Sequence, residues 1–496
     1  MTSLEPSLEP RRSPEGIKGI GLERNSIKFG TDGWRGIIAD DFTFDNVRIC
    51  AQAVAIYLKQ SGLVERGLII GYDTRFASED FALAAAEAVA ANGIKVYLCP
   101  KATPTPVISF GTIAIKAGGA ITITASHNPA AWNGFKYKTE DGAGAPDEVT
   151  AEIEKNISSI LSTGKVSRML LAEAVEQGRI EYFDLAPLYF QQVAKLVDLD
   201  SLRRTGLKVV VDSMYGAGIG YLKTLLSGGA MEVVEINGER NPIFPGIRPE
   251  PIAPNLAKLS ATIKEQQADV GLATDGDADR LGVVDEEGRF ITTLELFALL
   301  CLYLLEVRGE RGTIVKTVTT TSMLYRLGEL FNVPVRETPV GFKFIAPIMM
   351  TENALIGGEE SGGFGFRNHA PERDGILSAL YFLDLMVKTG KSPSQLLNHL
   401  YSKVGEYHFD RVDITFPEAE RQKVIERLKQ NPPGSIDGVE VVKVDTADGF
   451  RFILADNSWL LIRFSGTEPL LRIYAESTTL AKVKRLLGRG KEIAGV

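Results

Sequence analysis

From Ile27 onward the chain alternates short apolar runs with polar loops and Ala-rich or amphipathic stretches. Gly67–Tyr72 (GLIIGY) is apolar throughout, and DTRFASED, FALAAAEAVAANG and IKVYLC follow it as loop, helix and second strand. Asn92-Gly93 supplies the left-handed backbone that ends such a helix. The phrase returns at Leu207–Val211 (LKVVV), with DSMYGAG, a helix near Gly220–Leu226 and MEVVEI. It returns again at Thr313–Lys316 (TIVK), with TVTTTS, MLYRLGELF and VPVRET. Strands that are apolar on both faces and joined by helices predict parallel or mixed sheets covered on both sides. Three α/β domains of similar build are therefore expected.

The C-terminal part has a different rhythm. RVDITF, a helix EAERQKVIERLKQ, VEVVKVD, FRFILAD, SWLLIRFSG and LLRIYAE are mostly strands, and AKVKRLLGRGKEIAG is a closing amphipathic helix. This predicts an α+β domain with an antiparallel sheet. The expected limits are 26–172, 182–290, 291–403 and 404–496, after a tail over 1–25 marked by the near-repeat SLEP-SLEP.

Composition narrows the function. Hydrophobic residues make up 44% and charged residues 24% of 496, enough for a large core and against disorder as the overall state. The 49 glycines point to many tight turns or close backbone approaches. A net charge of −8 excludes a general nucleic-acid binder, which needs a basic surface. Cys50, Cys99 and Cys301 are too few and too scattered for a disulfide scaffold or a zinc ribbon, so cytosol is the simplest compartment. The longest apolar stretch, Leu296 to Leu305, lies between Glu295 and Glu306, short of the roughly 20 residues that span a bilayer. The N-terminus lacks the apolar region of a secretory signal. A cytoplasmic protein without membrane or nucleic-acid partners is expected.

Five segments carry candidate chemistry. TASHNPAAWNGFK (124–136) follows the apolar strand AITIT and leaves Ser126 at a strand end, where α/β sheets place their chemistry. By itself it reads better as an Asn-Pro turn with local hydrogen bonds. No G-x-S-x-G elbow surrounds Ser126, which speaks against a hydrolase serine. TDGDADR (274–280) places Asp275, Asp277 and Asp279 so close that a cation is needed to offset their repulsion. Oxygen ligands suit Mg²⁺ or Ca²⁺. A calcium loop fails, because the sixth position is Arg280 and a strand, LGVVD, follows. GGEESGG (357–363) can offer Glu359, Glu360 and Ser361 to a polyol, or be a plain Gly-rich loop. RFSGTEPLLR (463–472) crowds Arg463, Arg472, Ser465 and Thr467 around Gly466, a composition suited to an anion. KFGTDGWRG (28–36), with Thr31, Asp32 and Arg35, and YDTR (72–75) read equally as turns.

In this order and at these separations, TASHNP, DGDADR, GEESGG and RFSGTEP resemble the α-D-phosphohexomutase superfamily, from about Ser26 to the C-terminus. FGTDGWRG is similar to the start of that family. The resemblance implies four domains around a central cleft, three α/β and one α+β, each giving one loop. It implies a phosphoryl group on Ser126 and Mg²⁺ between that group and Asp275, Asp277 and Asp279. Glu359 and Ser361 would hold sugar hydroxyls. Arg463, Ser465, Gly466 and Thr467, with Arg472 near, would hold the distal phosphate. Lys136 and His127 match positions near the transferred proton, Lys343 a lysine reaching the substrate, and Arg35 and Arg280 residues steadying the active-site phosphate. The general base is then Lys136, Lys343 or His127, in that order.

The implied activity is interconversion of hexose 1-phosphate and hexose 6-phosphate through a hexose 1,6-bisphosphate, in a monomer or homodimer. Some relatives end the sugar loop in His; Gly363 stands here and shifts the expectation toward glucose. Two alternatives share the motifs: a glucose-1,6-bisphosphate synthase, and a mannose or glucosamine phosphate mutase. A serine phosphatase with several metals is disfavoured, because only one of four histidines, His127, lies in a motif. A non-catalytic sugar-phosphate sensor would need no phosphorylated serine.

Overall fold

The computed structural model describes residues 27–30, 32–465 and 470–496. The segment 1–25, read as a tail, lies outside them, as do Thr31, Gly466 and Thr467. The described strands form four sheets.

The first contains β1 (Trp34–Ile37), β2 (Leu68–Tyr72), β3 (Val96–Leu98), β4 (Ala120–Ile123), β5 (Trp132–Lys138) and β6 (Ile180–Tyr182), in the order β1-β5-β4-β2-β3-β6. β4, β2, β3 and β6 run parallel, and β5 and β1 add antiparallel pairs at one edge. This layer extends past residue 172, because β6 pairs with β3. The second sheet holds β7 (Lys208–Asp212), β8 (Glu232–Ile236), β9 (Val270–Thr274), β10 (Leu281–Val284) and β11 (Phe290–Ile291), ordered β11-β10-β9-β7-β8. The third holds β12 (Ile314–Thr317), β13 (Val335–Thr338), β14 (Ile356–Gly358) and β15 (Phe364–Phe366), ordered β13-β12-β14-β15. Both mix parallel with antiparallel pairs. Three α/β domains with mixed sheets are the observed fold.

Their central strands are buried along their length, as AITI in β4 and VGLAT in β9 are. Helices cover them. The Ala-rich Ser78–Ala91 lies against Phe44–Gln60 with its small side chains buried. Thr293–Leu302 is apolar all round and buried, as expected of a core helix. A Thr292–Glu295 capping box starts that helix, and Glu306, the other bracketing acid, pairs with His399 and Lys403. One continuous apolar core runs from Val107 and Ile108 of the first domain through Leu272 and Leu281 to Phe297 and Ile376 of the third. The ends of the first three sheets are thereby held in register. No described helix is long and apolar enough to cross a membrane, and the three cysteines are buried and free.

The fourth sheet is antiparallel throughout: β16 (His408–Thr415), β17 (Ser435–Ile436), β18 (Val439–Asp445), β19 (Phe450–Leu454), β20 (Trp459–Phe464) and β21 (Leu470–Ser477), ordered β16-β21-β20-β19-β18-β17. Alternation along β20 divides its faces. Leu460 and Ile462 join the helix Leu480–Ala494 in one core, whereas Trp459 and Leu461 pack with Tyr474 on Val318 of the third domain. Polar contacts reinforce that seam: Arg451 pairs with Glu337, and Asp448 accepts from Val340 N at 2.8 Å.

Candidate active site

β4 ends at Ile123, and Ser126 follows in left-handed backbone with φ +52°. That conformation costs a residue with a Cβ about 1 kcal/mol, so neighbours must hold it. Ser126 is buried, and its Oγ donates to Asp275 Oδ2 at 2.7 Å with His127 Nδ1 at 3.3 Å. The main chain of this loop is gripped by Arg75, which is fully buried and donates to the carbonyls of Ser126, Asn128, Pro129 and Trp132.

β9 leads in the same way into the aspartates. Asp275 Oδ1 accepts from the amides of Asp279 and Arg280, which curls the loop back on itself. Gly276 is required in that curl, because a Cβ there would lie 2.4 Å from the Ser126 carbonyl oxygen. Asp275, Asp277 and Asp279 are wholly buried, and one ligand oxygen from each lies within 4.8 Å of the others. Asp277 Oδ1 and Asp279 Oδ1 have no hydrogen-bond partner among the described residues. Buried carboxylate oxygens without donors, in an all-oxygen set, fit a hard divalent cation. Burial and the charges of Asp279 and Asp277 push the Asp275 carboxyl well up. For Asp277 burial acts upward too, but Lys136 and the Thr105 hydroxyl outweigh it and hold the group down.

Basic groups enclose these acids. Lys136 and Lys138 point to one face of β5, as the two-residue strand period requires. Lys136 Nζ lies 3.1 Å from Asp277 and 2.7 Å from Asp32, and Lys138 pairs with Glu372. Burial would lower Lys136, but Asp277, Asp32 and Asp279 keep it above its ordinary value. Burial, Arg280 and Arg35 push His127 well below the usual imidazole range. Arg35 donates to Asn128 Oδ1 at 2.9 Å, and among the described residues the acids nearest the Arg280 guanidinium are Glu250 and Asp279, each at 3.8 Å. The buried Nε atoms of both arginines lack hydrogen-bond partners among the described residues.

The third domain reaches the same place through two segments. Glu359 closes a tight turn with Gly362 and Gly363, and burial raises its carboxyl to about 7 despite Arg373. Glu360 accepts from Thr319 at 2.6 Å, and Ser361 lies half-buried at the loop tip. Arg373 is the cross-link. It contacts Asp279 at 2.9 Å, Asp32 at 3.0 Å, Glu372 at 3.1 Å and Glu359 at 3.4 Å, acids from all three α/β domains. Its aliphatic stem fills the space beside Gly363: a Cβ at 363 would meet Arg373 Cδ at 2.4 Å.

In the fourth domain Arg463 and Arg472 stand directly opposite on β20 and β21. Like charges so placed repel. Asp448 lies 2.9 Å from Arg463, and Asp413 lies 3.7 Å from Arg472. Ser465 N donates to Leu470 O at 2.9 Å, and Gly466 and Thr467 lie outside the described residues.

Four family models match in chain order. Phosphoglucomutase/phosphomannomutase alpha/beta/alpha domains I, II and III match residues 26–163, 187–288 and 294–404, and the C-terminal domain matches 414–489. The chain belongs to the phosphoglucomutase/phosphomannomutase family.

A phosphoglucomutase/phosphomannomutase of Thermococcus kodakarensis is 31% identical, covering 93% of this chain and 97% of the relative. A phosphoglucosamine mutase of Desulforamulus reducens is 30% identical over 94% of this chain and 99% of its own. A solved structure from Thermus thermophilus superposes with a TM-score of 0.83 at 34% identity, covering 95% of this chain and all of that one. Members of this phosphohexomutase family are isomerases that act by intramolecular phosphotransfer, and the chain is such an enzyme.

Against the residues read from the sequence, the fold unites Ser126, His127, Lys136, Arg35, Arg280 and the three aspartates, with Glu359 joined through Arg373. Lys343 stands apart from this network: it starts the helix Phe342–Glu352 and pairs with Asp147 at 2.5 Å. Sequence reading missed Arg373 altogether and left Asp32 and Arg75 as turn residues. Arg373 carries no local signal, because its partner Asp32 is 341 positions away.

Proposed function

We propose that this phosphohexomutase interconverts hexose 1-phosphate and hexose 6-phosphate, with glucose as the preferred hexose, by way of a phosphoryl group on Ser126 Oγ and a hexose 1,6-bisphosphate. One observation carries the reading. Ser126 Oγ donates to Asp275, in one cluster with Asp277 and Asp279 oxygens that lack donors, and its neighbour His127 lies in the field of Arg35 and Arg280, whose buried Nε atoms lack acceptors among the described residues. A cation at the carboxylates and a phosphoryl group at the guanidinium groups complete both.

Asp275, Asp277 and Asp279, with an oxygen on Ser126, would hold Mg²⁺, whose charge neutralises oxygens of the moving group. The protein's own part is positioning and electrostatics, as the loose transition state of phosphoryl transfer demands. In the forward step the bond from phosphorus to Ser126 Oγ breaks and a bond to a sugar hydroxyl forms; that hydroxyl's proton passes to a base and Ser126 Oγ takes up a proton as it leaves. The bisphosphate then turns end for end. In the second step Ser126 Oγ attacks the other phosphate and gives up its proton, and the sugar oxygen that departs takes one up to become a hydroxyl. Two acceptors are within reach, Asp275 Oδ2 and His127 Nδ1. Lys136, gripped by Asp277 and Asp32, stays charged and steadies the transferred oxygens. Arg35 and Arg280 bind the active-site phosphate. Glu359 and Ser361 hold the sugar hydroxyls, and Arg463, Ser465, Gly466 and Thr467, with Arg472, hold the distal phosphate.

Glucose is favoured by Gly363, which ends the sugar loop where some relatives carry His. A panel of glucose, mannose and glucosamine 1-phosphates, with and without catalytic hexose 1,6-bisphosphate and with products identified, tests the reading. Glucose 6-phosphate should form fastest and depend on the bisphosphate. Bisphosphate accumulating without isomerised product would replace the mutase reading with the synthase.

A further inference from the structure

Ser126 keeps its left-handed backbone in a loop without glycine between Thr124 and Asn133, so other groups must enforce it. Asp73 and Arg75, on the loop after β2, are those groups. The Ser126 amide donates to Thr124 Oγ1 at 2.8 Å, and the Thr124 hydroxyl donates to Asp73 Oδ2 at 2.6 Å. The Ser126 carbonyl accepts from Arg75 Nη2 at 2.6 Å. Arg75 Nε closes the ring onto Asp73 Oδ2 at 3.1 Å. Both main-chain groups of Ser126 are therefore tied to one buried ion pair.

The guanidinium is also saturated. Its five N–H groups meet five acceptors: Asp73, Ser126, Asn128, Pro129 and Trp132. Four of these are loop carbonyls, a planar pattern that the point charge of lysine cannot reproduce. The second domain holds the pair from outside. The Phe244 ring lies 5.0 Å under the guanidinium, Arg240 donates to Thr74 O, and the Thr74 hydroxyl donates to Tyr215 O at 2.6 Å. The element that sets the serine is thus anchored to the domain that carries the aspartates.

We propose that Arg75, acting with Asp73, is a positioning residue for phosphoryl transfer: the pair fixes the backbone of Ser126 and so aims its Oγ at Asp275. It touches no substrate and acts only through the serine, and it rests on the carrier reading given above. Misplacement of a reacting atom by an ångström lowers rate by about 10²-fold. The effect should fall on kcat and on loading of the serine, because the residues that bind the sugar and its distal phosphate lie elsewhere.

The test uses full-length Arg75→Lys and Thr124→Val with Mg²⁺. It measures kcat and KM for glucose 1-phosphate, the melting profile, and the rate at which intact protein gains about 80 Da from glucose 1,6-bisphosphate. Arg75→Lys should melt cooperatively, keep KM within about threefold, and lose about 10²-fold in both kcat and loading rate. Thr124→Val should show the same split at about tenfold. If Arg75→Lys does not fold, Thr124→Val, which leaves the ion pair in place, decides alone. Both variants loading and turning over at the wild-type rate would overturn the clamp, as would a loss expressed mainly in KM. A wild-type enzyme that never gains the mass would instead refute the carrier reading itself.

Discussion

Around Ser126 the three aspartates, Lys136 and Arg373 are buried and tied across three sheets, with Asp32 and Arg35 partly open at their edge, whereas Arg463 and Arg472 sit on neighbouring strands of one sheet with acids of their own domain. At the first place three acids meet a base from another domain: Asp277 meets Lys136, Asp279 meets Arg373, and Glu372 meets Lys138. At the second, two like charges face each other and lean on Asp448 and Asp413. In the proposed mechanism the contrast follows from what each end must do. Bond exchange needs fixed atoms and no water. An anion site that must accept either end of a turning bisphosphate needs donors that remain accessible.

The contrast can be broken by substitution. Ser126→Ala should remove turnover by about 10⁴-fold or more with melting shifted by only a few degrees, checked by a coupled assay and calorimetry. Asp277→Asn should lower kcat by about 10³-fold and raise the Mg²⁺ concentration needed, read from a metal titration of chelator-treated enzyme. An unchanged metal curve would remove the aspartates from the site.

Arg463→Ala and Arg373→Met form the sharpest pair. Arg463→Ala should raise KM for sugar phosphate by about 10–100-fold while melting moves by less than about 2 °C. Arg373→Met leaves three buried acids, Asp279, Glu359 and Glu372, and the partly exposed Asp32 without their shared cation. Loss of one member of a buried charge pair costs about 3–5 kcal/mol, so melting should fall by about 10 °C. If Arg463→Ala melts like Arg373→Met, the role of Arg463 is structural and the comparison fails. The smallest effect is expected for Asp147→Asn, which removes the half-exposed partner of Lys343: about 0.5 kcal/mol of stability and less than about threefold in kcat/KM.

Local pattern made much of this legible. The three strand–loop–helix phrases announced the α/β layers, because a buried strand and its covering helix are both written in contiguous residues. The serine loop and the aspartate run were visible for the same reason: each is one short segment at a strand end. What spacing does not record is which distant segments share a charge. Arg373 reads as one basic residue in PERDG, yet it meets Asp32, Asp279 and Glu359 only once three sheets have packed on a common core. Arg75 reads as a turn residue for the same reason: its acceptors are carbonyls some 50 positions further on. Lys343 is a further case. Its motif suggested substrate contact, and the fold gives it Asp147.

The claim on which the rest depends is that Ser126 Oγ carries the phosphoryl group. Mass mapping of peptides after incubation with glucose 1,6-bisphosphate and Mg²⁺ tests it most directly. The account predicts a gain of about 80 Da on the peptide holding Ser126, lost when a hexose monophosphate is added and absent from Ser126→Ala. Turnover at the wild-type rate with that peptide unmodified, or with the phosphate on a different residue, would contradict it.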